Sequence, residues 1–357
     1  MKKHFIAIAV AALALPVAAT AEDDVKVYGR AQVEVVSTDP QGAGGSAVSV
    51  VDNAQGRLGV VAVEDFGGGL KGLAKFEFKL DTADGDSSSA CAENKDKNPD
   101  GTDKADIDAD GNCTKTTGIA LTGRELFVGL KGDFGQVELG RLKAAYKYTG
   151  GVFYDPFVAT TLEARKNGGM SAGDFGHTGF VSNSIGYSSP KLGPVDIRAT
   201  YAPSESDSAY TVSAKAEFKM GEVFVAMADQ GDRNGNNKYS AWKAGGQLRL
   251  AGGTQKLSLQ YEGTENKTSA TTTTPTGTTK PTYVFAGYQG AFGNSIFVAQ
   301  FGANNADVEN KDKIYYSIGA IYRFSKNTSA FGGYRVTDAD DDSGQTVISI
   351  GMRKDFN

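Results

Sequence analysis

Along most of this chain apolar and polar residues alternate one by one. From 25 to 36, Val25, Val27, Ala31, Val33 and Val35 fall on one side of an extended backbone, and Lys26, Arg30, Gln32 and Glu34 fall on the other. A period of two marks a β-strand, whose successive side chains point to opposite faces. The pattern returns with Phe76, Phe78 and Leu80 against Lys75, Glu77, Lys79 and Asp81. It returns again with Tyr210, Val212, Ala214, Ala216 and Phe218 against Thr211, Ser213, Lys215, Glu217 and Lys219. Sixteen strands are predicted, over 25–36, 56–65, 71–82, 121–130, 134–141, 183–189, 194–201, 210–219, 222–230, 239–250, 254–262, 283–291, 295–301, 314–324, 328–336 and 345–356.

A soluble sandwich alternates too, so the connections decide. Short gaps such as Phe66-Gly67-Gly68-Gly69, Gly132-Asp133, Met220-Gly221 and Gly252-Gly253 have the chemistry of tight turns. They alternate with long polar gaps, including 38–55, 83–120, 142–182 and 263–282. Short turns at one rim, long loops at the other and an even number of strands of about ten residues fit a membrane barrel, in which no sheet edge is left unpaired in hydrocarbon. The expected fold is all-β: a 16-stranded antiparallel transmembrane β-barrel with short periplasmic turns and long extracellular loops. One segment breaks the pattern. Over 134–141, Val137 and Leu139 share parity with Arg141 against Gln136 and Glu138, so this strand faces another subunit or its register is displaced.

Residues 1–21 are a separate unit: Lys2 and Lys3, an apolar run from Phe5 to Val17, and Ala19-Thr20-Ala21 as a small-residue cleavage site. This is the plan of a secretory signal peptide, too short to cross the bilayer as a helix, leaving 22–357 as the barrel. Loss of Lys2 and Lys3 takes the net charge from −5 to −7, which argues against nucleic acid as a partner. Removal of the leader also takes one of the two histidines and leaves His177, so a barrel enzyme with a positioned base has little to build on.

Sixteen strands about 4.8 Å apart and tilted about 40° enclose a cylinder on the order of 30 Å across, which side chains cannot fill. A water-filled lumen follows. The loop at 142–182 is the candidate to narrow it, because structureless loops that long are uncommon unless functional. Aromatics at strand ends or on the apolar side, namely Tyr283, Phe285, Phe297, Phe301, Tyr316, Tyr322, Phe324, Tyr334 and Phe356, are expected to form interfacial girdles.

The loop at 83–120 has its own chemistry. Asp96, Asn98, Asp100 and Asp103 are followed by Asp106, Asp108 and Asp110, with Cys91 and Cys113 bracketing both runs. Acids at alternate positions ending in glycine gather hard oxygen ligands, as calcium loops do; a solvated acidic loop has the same composition. Secretion into an oxidising compartment favours a Cys91–Cys113 disulfide over two free thiols.

Several stretches resemble the general porins of Gram-negative outer membranes. They are Lys26-Val27-Tyr28-Gly29-Arg30, Gln55-Gly56-Arg57-Leu58-Gly59-Val60, the run from Gly123-Arg124-Glu125 to Asp133-Phe134-Gly135, Gly140-Arg141-Leu142-Lys143, the run from Asn183-Ser184 to Ser189-Pro190, and the closing Gly351-Met352-Arg353-Lys354-Asp355-Phe356. The resemblance spans the whole mature chain. It implies a homotrimer in outer-membrane lipid, inserted by the barrel-assembly machinery with Phe356 in its terminal signal, through which small hydrophilic solutes and ions diffuse passively with no required cofactor. It also implies a third loop folded into the lumen, with Arg30, Arg57 and Arg124 on the wall of the narrow zone and Arg141 nearby. Asp155, Glu163 and Asp174 of the loop would face them across a transverse field. Each arginine is equally suited to an interstrand salt bridge, and Asp155 and Asp174 to turns. Three departures stand out: Phe180 and Gly186 where many members carry arginines, and Asn357 after the final aromatic.

A passive channel is thus the expected function, with a substrate-selective channel and a non-conducting adhesin or receptor as alternatives. Acids in the outer loops, over 81–110 and 338–342, would draw cations within about a Debye length.

Overall fold

The computed structural model describes residues 24–42, 44–53, 55–83, 122–173, 175–204, 207–231, 237–268 and 277–357. The barrel strands are β1 (Asp24–Pro40), β2 (Arg57–Gly67), β3 (Leu70–Lys79), β4 (Thr122–Gly132), β5 (Gly135–Leu142), β6 (Val181–Ser188), β7 (Val195–Ala202) and β8 (Ala209–Phe218). They continue with β9 (Gly221–Gly231), β10 (Asn237–Leu250), β11 (Gln255–Thr268), β12 (Thr282–Phe292), β13 (Ser295–Asn305), β14 (Lys313–Ser325), β15 (Thr328–Ala339) and β16 (Gln345–Phe356). Each pairs antiparallel with its neighbours in sequence, and β16 returns to β1 with Gly29 opposite Phe356 and Pro40 opposite Gln345. The ring closes, and all sixteen predicted strands are present. Two short strands in the long loops, Ala47–Val51 and Gly277–Thr279, extend the ladders of β1 and β11.

Neighbouring residues show which side is which. On β11 Leu259 is 60% exposed and Gln260 1%; on β16 Ile350 is 66% exposed and Ser349 0%. A soluble fold hides the first kind of residue and exposes the second. The reversal is what lipid outside and a polar interior demand. At the chain's end, Phe356 lies on the outer side over Gly29, where a Cβ would sit 2.1 Å from the ring.

Several strands differ from their predicted extent. β11 was expected over 254–262 and continues to Thr268, because its ladder carries on in polar sequence beyond the alternating part, where periodicity gives no signal. The girdle expectation fails at Phe285, which is fully buried and packs inward with Tyr154, Ala164, Met170, Phe224 and Tyr315. Tyr283 shares its parity. An apolar patch on the inner wall is needed there to seat the loop described below. In β5, Leu139 is exposed, and the ladder to β6 shifts register between Gly140 and Leu142, so the anomalous parity of Arg141 falls at a bulge.

Candidate functional site

The segment between β5 and β6 leaves the wall at Leu142 and returns at Val181. It begins with two short 3-10 turns, Ala145–Tyr148 and Gly151–Phe153. Where the second turn begins, Gly150 and Gly151 both take positive φ (52° and 48°), and a Cβ on Gly150 would meet the Phe224 ring at 2.2 Å. Only glycine suits both demands. The loop then crosses to the far side of the ring. Tyr146 Oη donates to Glu262 Oε1 (2.6 Å), Gly151 N to Gln260 Oε1 (2.8 Å), and Lys243 Nζ to Thr149 O (2.7 Å). Further on, Gln300 Nε2 donates to Asp155 Oδ1 (2.6 Å), Tyr315 Oη to Leu162 O (2.5 Å) and Gln32 Nε2 to Ala159 O (2.7 Å). Glycines on three successive strands make room for it. A Cβ on Gly302 would lie 2.5 Å from Gly169 Cα, one on Gly319 3.0 Å from Phe157 Cζ, and one on Gly333 2.9 Å from Leu162 Cδ1.

On the side the loop leaves, charged residues gather. Arg30 and Arg57 are register partners on β1 and β2, so two like charges stand directly opposite each other, an arrangement that costs stability. Arg30 Nε is 2.6 Å from Asp355 Oδ1. Arg57 and Arg124 share Glu77, at 3.9 and 2.7 Å. Lys75 and Lys143 share Glu125, at 2.5 and 3.0 Å.

Arg124 and Glu125 are consecutive, yet both make contacts on this wall. The reason is a bulge: Phe76 pairs with Leu126 and Phe78 with Gly123, so Arg124 and Glu125 together oppose Glu77, and such an insertion re-aims a side chain. A second bulge, with Ser182 and Asn183 opposite Arg141 and Asn183 at φ 52°, accompanies contacts of Arg141 to Ser182 Oγ (2.6 Å) and Gly123 O (3.2 Å). The guanidinium carbons of Arg124 and Arg141 then lie 5.1 and 5.6 Å from the centre of the Phe180 ring.

The four predicted arginines are therefore brought to one stretch of wall. Of the loop acids, Asp155 and Glu163 are buried and engaged in the loop's own bonds. Asp155 accepts from the amides of Phe157 and Ala164 (both 2.8 Å), and Glu163 from Arg165 Nε (2.6 Å). Burial pushes the Asp155 carboxyl up to about 6 against those hydrogen bonds. His177 is fully buried, donates from Nδ1 to Ser171 O (3.0 Å), accepts at Nε2 from Lys243 Nζ (2.9 Å), and is held well below the usual imidazole range by burial and by that lysine. Asp174, Cys91, Cys113 and Asp96 through Asp110 lie outside the described residues.

Sequence reasoning missed Lys75, Lys143, Lys147 and Arg353. Arg353 Nε donates to Gln32 Oε1 (2.7 Å) and its inward parity was legible. Lys147 is buried on the loop, donating to Thr178 O (3.1 Å) and Gly179 O (3.0 Å), and no periodicity pointed to it.

A closed barrel with an apolar belt outside, polar side chains inside and a loop crossing the interior defines a transmembrane diffusion channel. The sequence model of the Gram-negative porins matches residues 7–342, and the chain belongs to that family. Over 387 aligned positions covering all of both chains it is 26% identical to the major outer membrane protein P.IB of Neisseria meningitidis serogroup B. Its fold resembles the anion-selective porin from Comamonas acidovorans, with a TM-score of 0.74, 19% identity and coverage of 94% of this chain and 100% of that one. It also resembles OmpF of Salmonella typhi in complex with daunomycin, with a TM-score of 0.64, 15% identity and coverage of 93% and 97%. The protein is an outer-membrane channel for diffusion, not an enzyme.

Proposed function

We propose that the inward loop and the wall bearing Arg30, Arg57, Arg124 and Arg141, joined by Lys75, Lys143 and Arg353, form the narrowest zone of the pore, and that this zone favours small anions over cations. One observation carries the reading. In the ion pairs that Glu77 and Glu125 make on this wall the acids keep 3% and 1% of their side-chain surface, while Arg57, Arg124, Lys75 and Lys143 keep 18–26%; in the Arg30–Asp355 pair the order is reversed, at 20% and 39%. The charge presented to water is positive. Charges lining a constriction decide which ions pass, whereas the outer-loop acids act only within a Debye length of about 8 Å at physiological salt. With Asp155 and Glu163 buried as braces of the loop, the described part of the loop sets no exposed acid against that wall.

Reversal potentials in a potassium chloride gradient across planar bilayers test this. The wild-type channel should be chloride-preferring, and R30Q/R57Q/R124Q should lose most of that preference. A cation-preferring wild type would overturn the assignment.

We also propose a homotrimer in the outer membrane. An in-vitro-folded OmpT of Vibrio cholerae, similar in fold at a TM-score of 0.63 with 13% identity, is described as a trimer form. Sedimentation in density-matched detergent at monomer mass would remove this assignment. For the loop at 83–120, the alternating acids support calcium binding and the two cysteines a disulfide; calorimetric titration and thiol counting test them.

A further inference from the structure

Phe180 is the last residue of the inward loop before β6, and it is buried, yet it belongs to none of the three apolar clusters of the described residues. Cations gather around its ring. Arg124 lies 5.1 Å, Arg141 5.6 Å and Lys147 4.6 Å from the ring centre. Three positive groups around one benzene ring is a costly arrangement unless something attractive holds them, and the negative face of the ring supplies that attraction.

The other partners of these cations sharpen the point. Arg141 bonds to Gly123 O and Ser182 Oγ, and Lys147 to Thr178 O and Gly179 O. All four are neutral. Arg124 alone has a carboxylate, Glu77, which it shares with Arg57. A carboxylate in place of Phe180 would hold the same side chains and cancel a unit of charge. An aromatic ring holds them through its quadrupole and cancels none.

We propose that Phe180 is a positioning residue for ion selectivity: its ring fixes Arg124, Arg141 and Lys147 at the narrow zone while leaving their charge free to act on passing anions. The inference rests on the anion-preferring reading above and names the device that sustains it.

The chemistry predicts which replacements work. Leucine fills similar space without a quadrupole. Tyrosine keeps the ring, and tryptophan strengthens the interaction. In planar bilayers F180L should lower the chloride-to-potassium permeability ratio by about two- to three-fold, whereas F180Y should stay near wild type. A residue that merely filled space would alter conductance and leave the reversal potential of F180L where it was.

If R30Q/R57Q/R124Q abolishes chloride preference and F180L keeps the wild-type ratio, the role of Phe180 is overturned and the anion reading stands. If the triple variant leaves the ratio unchanged while F180L lowers it, the role of Phe180 holds and the arginine wall is the part that falls. If neither variant moves the ratio, both fall. Should F180L fail to fold by circular dichroism, F180W carries the test. A ratio at or above wild type supports the proposal, and one reduced to that of R141Q overturns it.

Discussion

The two sides of the lumen are built for opposite ends. From β10 to β15 the wall is a seat: Glu262, Gln260, Gln300, Tyr315 and Arg335 meet the loop with hydrogen bonds, and Gly302, Gly319 and Gly333 let its backbone close in. From β1 to β6, beyond the bond of Gln32 to the loop, the wall keeps cations at the water, with Arg30 opposite Arg57 and Arg124 and Arg141 beside Phe180. One side commits its polar groups to the loop and the other leaves like charges facing each other. Stability and selectivity have been assigned to different strands, so substitutions on the two sides should fail differently.

The largest effect is expected on the seat. Glu262 is fully buried and accepts from Tyr146 Oη (2.6 Å) and Ser171 N (3.0 Å). In E262A those donors lose their acceptor, at about 1–3 kcal/mol for each buried group left unpaired. The loop should detach on this side, with larger and noisier single-channel currents and a lower unfolding temperature. E262Q, which keeps one acceptor oxygen, should lie between. An E262A channel with wild-type current would show that this wall does not hold the loop.

On the open wall the signs divide. R57Q should reduce chloride preference while relieving a like-charge pair worth about 0.2–1 kcal/mol across the ladder, so the variant loses selectivity and unfolds at a slightly higher temperature. Scanning calorimetry beside reversal potentials gives both numbers. A fall in unfolding temperature would mean that Arg57 braces the barrel through Glu77, and the contrast between the two walls would break there.

How much of this was legible follows from where periodicity operates. Alternation with turn chemistry located the barrel strands because lipid and lumen impose it residue by residue, and it put Arg30 and Glu77 on the polar side, while Arg57 came from the resemblance and Arg353 was passed over. It could not foresee the bulge opposite Glu77, which depends on two residues pairing with one across strands distant in sequence. Nor could it foresee that Phe285 turns inward, since an apolar residue facing the loop has the same letter as one facing lipid. The loop itself, with Lys147, Asp155 and His177, follows no period. Its contacts are set by the far wall. Thus Asp155 and Glu163 were found by type and their burial was not.

The finest test uses the one titratable cation among the three around Phe180. Burial, with Arg165, Lys143 and Arg124 nearby and only partly offset by Glu125, brings the Lys147 ammonium down from 10.5 to about 7. Arginines stay charged throughout this range. Chloride preference should therefore decline modestly as pH rises from about 6 to 8, and K147M should flatten the profile at its alkaline level. Folding gives an independent reading. A lysine whose pKa is depressed in the folded state binds fewer protons there than when unfolded, so its contribution is full above 10.5 and is lost as pH falls toward 7. K147M removes that loss, and its unfolding temperature should gain on wild type at pH 6 more than at pH 10. A selectivity profile equally steep in both proteins would place the titrating group elsewhere and return Lys147 to the loop's packing, on the side of the seat.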